Sequence, residues 1–172
     1  MITQLESSII ECLNKMKNKS IRKRLTRELV SFYNNADELY IDSVVLNTID
    51  SPIITIVDYN NENVNVYEFE ITQHYPFTPP KVKINKRMYN DFLRIHSTTF
   101  LHLLKKLKNY DCFCCHSYLC IENWAPAITI KQYIEEIRMF RKYKRELVNK
   151  KYADKIKDKY LIADIDLDSW LF

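Results

Sequence analysis

The sequence predicts an α+β domain, a four-stranded antiparallel meander sheet flanked by helices. Three observations carry that expectation. Apolar residues recur at helical spacing at the start of the chain, with Leu5, Ile9, Cys12, Leu13 and Met16 over residues 4–17 and Ile21, Leu25, Leu29 and Phe32 over residues 20–34. Runs rich in Ile, Val and Tyr follow over 38–47, 52–59 and 64–72 and read as strands. A stiff proline arm then separates the third run from a short fourth at 81–85. Helix, meander, crossing loop and further helices, in that order, describe helices packed against one face of a sheet.

Each element has a local reason. The first two helices place apolar residues three and four apart, so each buries one stripe. Asn60-Asn61-Glu62-Asn63 reads as the hairpin turn between the second and third strands. The chain contains no glycine, and asparagine, which tolerates φ > 0, stands at Asn34-Asn35, at Asn60 to Asn63 and at Asn109 instead. In Tyr75-Pro76-Phe77-Thr78-Pro79-Pro80 every proline fixes φ and removes a donor, which forbids helix and central strand alike. This arm crosses in extended form, with Tyr75 and Phe77 as its expected anchors, and re-enters a strand at Lys81-Val82-Lys83-Ile84. Phe100, Leu101, Leu103, Leu104 and Leu107 are dense enough for a buried helix from residue 98 on. From Thr129 a long helix turns Ile130, Ile134, Ile137 and Phe140 inward, and a further helical piece is expected over 150–160.

At 172 residues the chain reads as one folding domain. The expected division is a helical extension over 1–17, a core over 18–160 and an acidic, aromatic segment over 161–172. Leu161, Ile165, Leu167, Trp170, Leu171 and Phe172 carry too much apolar surface to stay in water, so that segment is expected to pack on the core. The formal net charge is +4, and much of the excess lies between Arg138 and Lys159. This stretch reads as a solvated helix face, and no nucleic-acid partner is expected. No apolar run reaches the roughly 18 residues that a membrane-spanning helix needs. The first residues lack the basic start and apolar core of a signal peptide. A cytosolic or nuclear protein with no membrane partner is the expectation.

Chemistry concentrates in one place. Of five cysteines, four (Cys112, Cys114, Cys115 and Cys120) fall within nine residues, with His116 among them. In a reducing compartment disulfides are disfavoured, so the cluster points to thiol chemistry, a metal or a core of small residues. Cys-x-Cys-Cys-His-x3-Cys holds enough soft ligands for a tetrahedral zinc, although its cysteines stand closer than in the usual Cys-x2-Cys knuckle. His74, His96 and His102 read as ordinary surface or core histidines.

The arm Tyr75-Pro76-Phe77-Thr78-Pro79-Pro80-Lys81-Val82, the later cysteines, and Trp124-Ala125-Pro126-Ala127-Ile128-Thr129-Ile130 opening a helix resemble, in this order, the ubiquitin-conjugating enzyme family. The likeness is to the divergent form that large DNA viruses encode. Arg22-Lys23-Arg24-Leu25-Thr26-Arg27-Glu28-Leu29 is similar to that family's first helix, and the resemblance spans residues 18–140. It implies the ubiquitin-conjugating-enzyme-like fold and a cysteine that accepts ubiquitin, or a ubiquitin-like protein, as a thioester and passes it to a lysine. Ubiquitin, ubiquitin-activating enzyme and ubiquitin ligase are the implied partners, and no cofactor is implied. A thiolate suits the task because sulfur is strongly nucleophilic and its thioester stays reactive towards amines.

The acceptor in that family stands eight positions before the tryptophan, and here that position is His116. Two alignments restore a thiol. In the first, Asn109-Tyr110-Asp111-Cys112-Phe113 resembles the family's Asn-Gly-x-Ile-Cys-Leu turn, with Asn109 in place of glycine and a four-residue insertion before Trp124, which a surface loop tolerates. In the second, Leu119-Cys120-Ile121-Glu122 resembles Ile-Cys-Leu-Asp with four residues deleted. Cys112 is preferred, Cys120 is the alternative and Cys115 a third choice. The family's His-Pro-Asn triplet is absent; its asparagine supports the thiol site, and Asn90, Asn109 and Asn123 are this chain's substitutes at other spacings. The competing functions are a catalytically inert domain of the same fold that binds ubiquitin or a partner, and a zinc-stabilised interaction module.

Overall fold

The computed structural model describes residues 7–34, 41–47, 52–60 and 63–160, with side chains placed except at 41–43, 47, 59–60, 63 and 156–160. Leu5, the turn residues Asn61 and Glu62, and the expected docking of residues 161–172 lie outside that range. Helix α1 (Ser7–Lys15) buries Ile9 and Leu13 and lies against α2 and the first strand. Helix α2 (Lys19–Tyr33) begins at Asn18, whose side-chain oxygen accepts the backbone N–H groups of Ser20 and Ile21 at 3.0 and 3.2 Å. That cap satisfies two of the donors a helix start leaves unpaired. The stripe Ile21, Leu25, Leu29 and Phe32 is buried as its spacing predicts.

The sheet is an antiparallel meander of β1 (Ile41–Asn47), β2 (Ile53–Asn60), β3 (Asn63–Glu70), β4 (Lys81–Ile84) and β5 (Arg87–Met88), in sequence order. Ile54 and Ile56 of β2, Tyr67 and Phe69 of β3, and Val82 and Ile84 of β4 alternate into the core. The four expected strands become five because of the residues after Ile84. Asn85 and Lys86 both have positive φ, 50° and 68°. Two such residues in succession form the mirror-image turn whose twist suits a hairpin, so the chain reverses at once and Ile84 faces Arg87. Asn85 also receives the Val66 N–H on its side-chain oxygen at 2.8 Å, fastening the turn to β3.

Two short helices, α3 (Tyr89–Leu93) and α4 (Thr98–Lys108), follow the sheet. The last helix, α5 (Ile130–Tyr160), runs unbroken for 31 residues, about 46 Å at 1.5 Å per residue. The separate piece expected over 150–160 is therefore its continuation. No proline or glycine interrupts the stretch, and Leu147 and Ala153 keep one side buried after Phe140. Helix α5 reaches the sheet through Arg138, which pairs at 2.9 Å with the buried Asp58 of β2. The Tyr67 hydroxyl donates to the same carboxylate at 3.1 Å. No helix among the described residues is long and apolar enough to cross a membrane.

Candidate functional site

The connection from α4 to α5 carries the cysteines. It opens at Asn109, which takes the left-handed conformation at φ 57°, ψ 30° and donates its N–H to Lys105 O at 3.0 Å. Glycine usually ends helices this way; asparagine is the next choice, and a glycine-free chain needs it here. Phe113 then plunges inward, fully buried, with its ring centroid 4.8 Å from that of Phe140 on α5. The residues on either side of Phe113 are held near the surface. Cys112 is half-buried, Cys114 and Cys115 are exposed, and a short 3-10 turn over Cys114–His116 folds them together. His116 leaves the group and stacks on Tyr110, ring centroids 3.8 Å apart.

The three sulfurs of Cys112, Cys114 and Cys115 lie within 4.8 Å of one another. Cys112 Sγ is 2.8 Å from Cys114 Sγ, and the Cys115 backbone N–H donates to Cys112 Sγ at 3.2 Å. Burial pushes the Cys112 thiol up, but hydrogen bonds from the Cys114 and Cys115 thiols and from their backbone N–H groups outweigh it. The net effect holds Cys112 below the ordinary thiol range. The same bonds act in the opposite sense on the donors. Sharing a hydrogen bond with Cys112 raises Cys114, and Cys115 is pushed up to about 12. Of the three, Cys112 is the thiol that accepts hydrogen bonds from its neighbours. Cys120 is half-buried and stands outside the group.

The far side of the loop is tied to the domain through Glu136 and Trp124 and braced within itself by Asn123. Glu136, buried on α5, accepts the Ser117 hydroxyl at 2.7 Å, the Tyr118 N–H at 2.7 Å and the Tyr89 hydroxyl at 2.9 Å. Asn123 donates both hydrogens of its amide, to Cys115 O at 2.6 Å and to Ser117 O at 3.2 Å. Trp124 donates from Nε1 to Pro76 O at 2.9 Å and packs on Tyr75 and Tyr133, so the loop and the proline arm form one corner. Thr129 and Gln132 then start α5 as a capping box: Thr129 N–H donates to Gln132 Oε1 at 2.8 Å, and Gln132 N–H donates to Thr129 Oγ1 at 3.3 Å. Asn123→Asp replaces two donors by acceptors facing two carbonyl oxygens. It is expected to lower stability by about 1–2 kcal/mol, read by chemical denaturation, whereas an unchanged midpoint would remove Asn123 from the set of loop ties.

The arm corrects two expectations: residues 73–77 form a turn rather than an extended crossing, and one of its two expected anchors is no anchor. Tyr75 is buried and its hydroxyl donates to Glu28, but Phe77 is 76% exposed and is no anchor among the described residues. The turn that bonds Phe77 N–H to His74 O at 2.7 Å directs the ring outward. Of the three asparagines considered as substitutes, Asn109 shapes the turn, Asn123 braces the loop and Asn90 is an exposed residue of α3. Two carboxylates escaped the sequence reading, Glu28 and Glu136. Their signal was an acid on the apolar stripe of its helix, next to Leu25 and Leu29 in one case and to Tyr133 and Ile137 in the other. Glu28 accepts from Arg24, from the Tyr75 hydroxyl and, at 3.0 Å, from the Ile130 N–H, which places α2, the arm and the start of α5 on one group.

An antiparallel meander, a proline arm bound to the tryptophan of a thiol-bearing loop, and a long helix opening just beyond that loop define a ubiquitin-conjugating type of domain. The family model described as ubiquitin-conjugating enzyme matches residues 15–161, and the chain belongs to that family. No curated protein and no solved structure matches the chain significantly.

Proposed function

We propose that the protein is an active ubiquitin-conjugating transferase that carries ubiquitin, or a ubiquitin-like protein, on Cys112. The carrying observation is the half-buried Cys112 sulfur, which accepts the Cys115 N–H at 3.2 Å and is the thiol of its cluster held towards the thiolate. The thiolate attacks the carbonyl of the thioester that joins ubiquitin to the activating enzyme. A new sulfur–carbon bond forms as the bond to the activating enzyme's sulfur breaks. A lysine amine then attacks the same carbonyl, the sulfur–carbon bond breaks, the amine gives up a proton to water, and Cys112 leaves as thiolate with an isopeptide formed. A ubiquitin ligase holding both partners is the family's usual third member.

The missing His-Pro-Asn asparagine divides into two tasks. Steadying of the loop falls to Asn123, whose amide hydrogens both go to backbone oxygens. That leaves the Asn123 side chain no hydrogen for the oxyanion formed during transfer. Incubating the protein with activating enzyme, ATP and ubiquitin and running non-reducing gels tests the proposal. One adduct that vanishes on reduction is expected. No adduct, beside an active control enzyme, would overturn the transferase reading and favour the inert domain of the same fold.

A further inference from the structure

Acyl transfer needs one sulfur, and this loop gathers three. Cys114 and Cys115 are exposed, and the hydrogen bonds of their thiols run within the cluster. We propose that Cys112, Cys114 and Cys115 together form a three-thiolate site for one soft d10 metal ion, zinc(II) or copper(I). Thiolate sulfur selects these ions over the hard divalent ones. A metal about 2.3 Å from each sulfur holds the sulfurs about 3.8–4.0 Å apart. The observed pair at 2.8 Å has to part by about 1 Å, and the widest separation in the group, no more than 4.8 Å, has to close by at most a similar amount.

The exposed side chains of Cys114 and Cys115 make those movements without repacking. The backbone that bears them is meanwhile held by buried Phe113, buried Ser117 and the Asn123 amide. His116 and Cys120 stand outside the three-sulfur group, so the site differs from a four-ligand zinc knuckle. Zinc would complete its tetrahedron with water or an outside ligand, whereas copper(I) is content with three sulfurs. Binding exchanges thiol protons for metal, up to three released per ion. If Cys112 is the ubiquitin acceptor, as proposed above, metal and thioester compete for one sulfur.

Reduced, metal-free full-length protein titrated with cobalt(II), then zinc(II), tests the site, as does titration with copper(I) against a coloured copper(I) chelator. One equivalent is expected to bind, with sulfur-to-cobalt charge-transfer absorption that zinc abolishes, or with copper drawn from the chelator. Cys114→Ser and Cys115→Ser should each weaken binding at least about tenfold, with unchanged circular dichroism. Cys12→Ser and Cys120→Ser should bind as wild type. Absence of saturable binding of either metal, or equal affinity in the Cys114→Ser, Cys115→Ser double variant, would overturn the proposal. These readouts use neither ubiquitin nor activating enzyme, so failure of the metal site and failure of the transferase function are seen separately.

Discussion

Cys112→Ser is expected to abolish the reductant-sensitive ubiquitin adduct. A hydroxyl is a far weaker nucleophile at neutral pH, and removing a reacting nucleophile is felt on a scale of more than about a thousandfold in rate. Any adduct that does accumulate should be an oxygen ester, resistant to reductant. Cys12→Ser, on α1 far along the chain, should charge as wild type. Cys120→Ser should also keep a reductant-sensitive adduct, because Cys120 stands outside the three-sulfur group that acidifies Cys112. A reductant-sensitive band persisting in Cys112→Ser would transfer the acceptor role to Cys120 or Cys115.

Glu136→Ala should be the most destabilising single change in the site. It strands the Tyr89 hydroxyl, the Ser117 hydroxyl and the Tyr118 N–H, two of them on fully buried residues. At about 1 kcal/mol or more for each stranded donor, the loss is at least about 3 kcal/mol. For a domain of this size that lowers the melting temperature by about 6–12 °C. Charging should fall as well at temperatures well below the new midpoint, since Ser117 and Tyr118 continue directly from the cysteines. A melting temperature within about 2 °C of wild type would show that these donors have other partners.

Glu136→Gln separates charge from shape. Burial raises the Glu136 carboxyl above the ordinary range, against the lowering effect of its three hydrogen bonds. A carboxyl whose folded-state value is raised binds its proton more tightly folded than unfolded. Its contribution is full below the unfolded value of about 4.3 and is lost as pH rises through the folded one. The stability of wild type relative to Glu136→Gln should accordingly rise as pH falls from neutral towards the unfolded value. A relative stability that falls instead would contradict the direction of the shift.

Much of the fold was legible because its determinants are local. The stripe from Ile21 to Phe32, the alternation in β2 and β3 and the three prolines of the arm each dictate their own backbone. Asn109 was legible for the same reason, as the residue best able to stand in for glycine. What escaped depends on partners distant in sequence. Four thiols in nine residues look alike in the sequence, because only the hydrogen bonds around each sulfur distinguish them. Glu28 and Glu136 look like misplaced charges until the hydroxyls and N–H groups they collect are in view. The fifth strand was hidden because Lys86 carries a positive φ that its residue type does not advertise.

The Glu28 junction also bears on the order in which the molecule comes together. Its bond to the Ile130 N–H joins residues 102 apart in sequence, and its bond to Tyr75 joins residues 47 apart. Contacts of such separation carry a large loop-closure entropy and are slow to form. On a ribosome the arm and α2 are made first, yet their shared carboxylate stays incomplete until the start of α5 has emerged. The cysteine loop lies wholly within the span this junction closes. The corner that holds the cysteines is therefore among the last parts of the chain to take shape, and the three sulfurs are brought together only then.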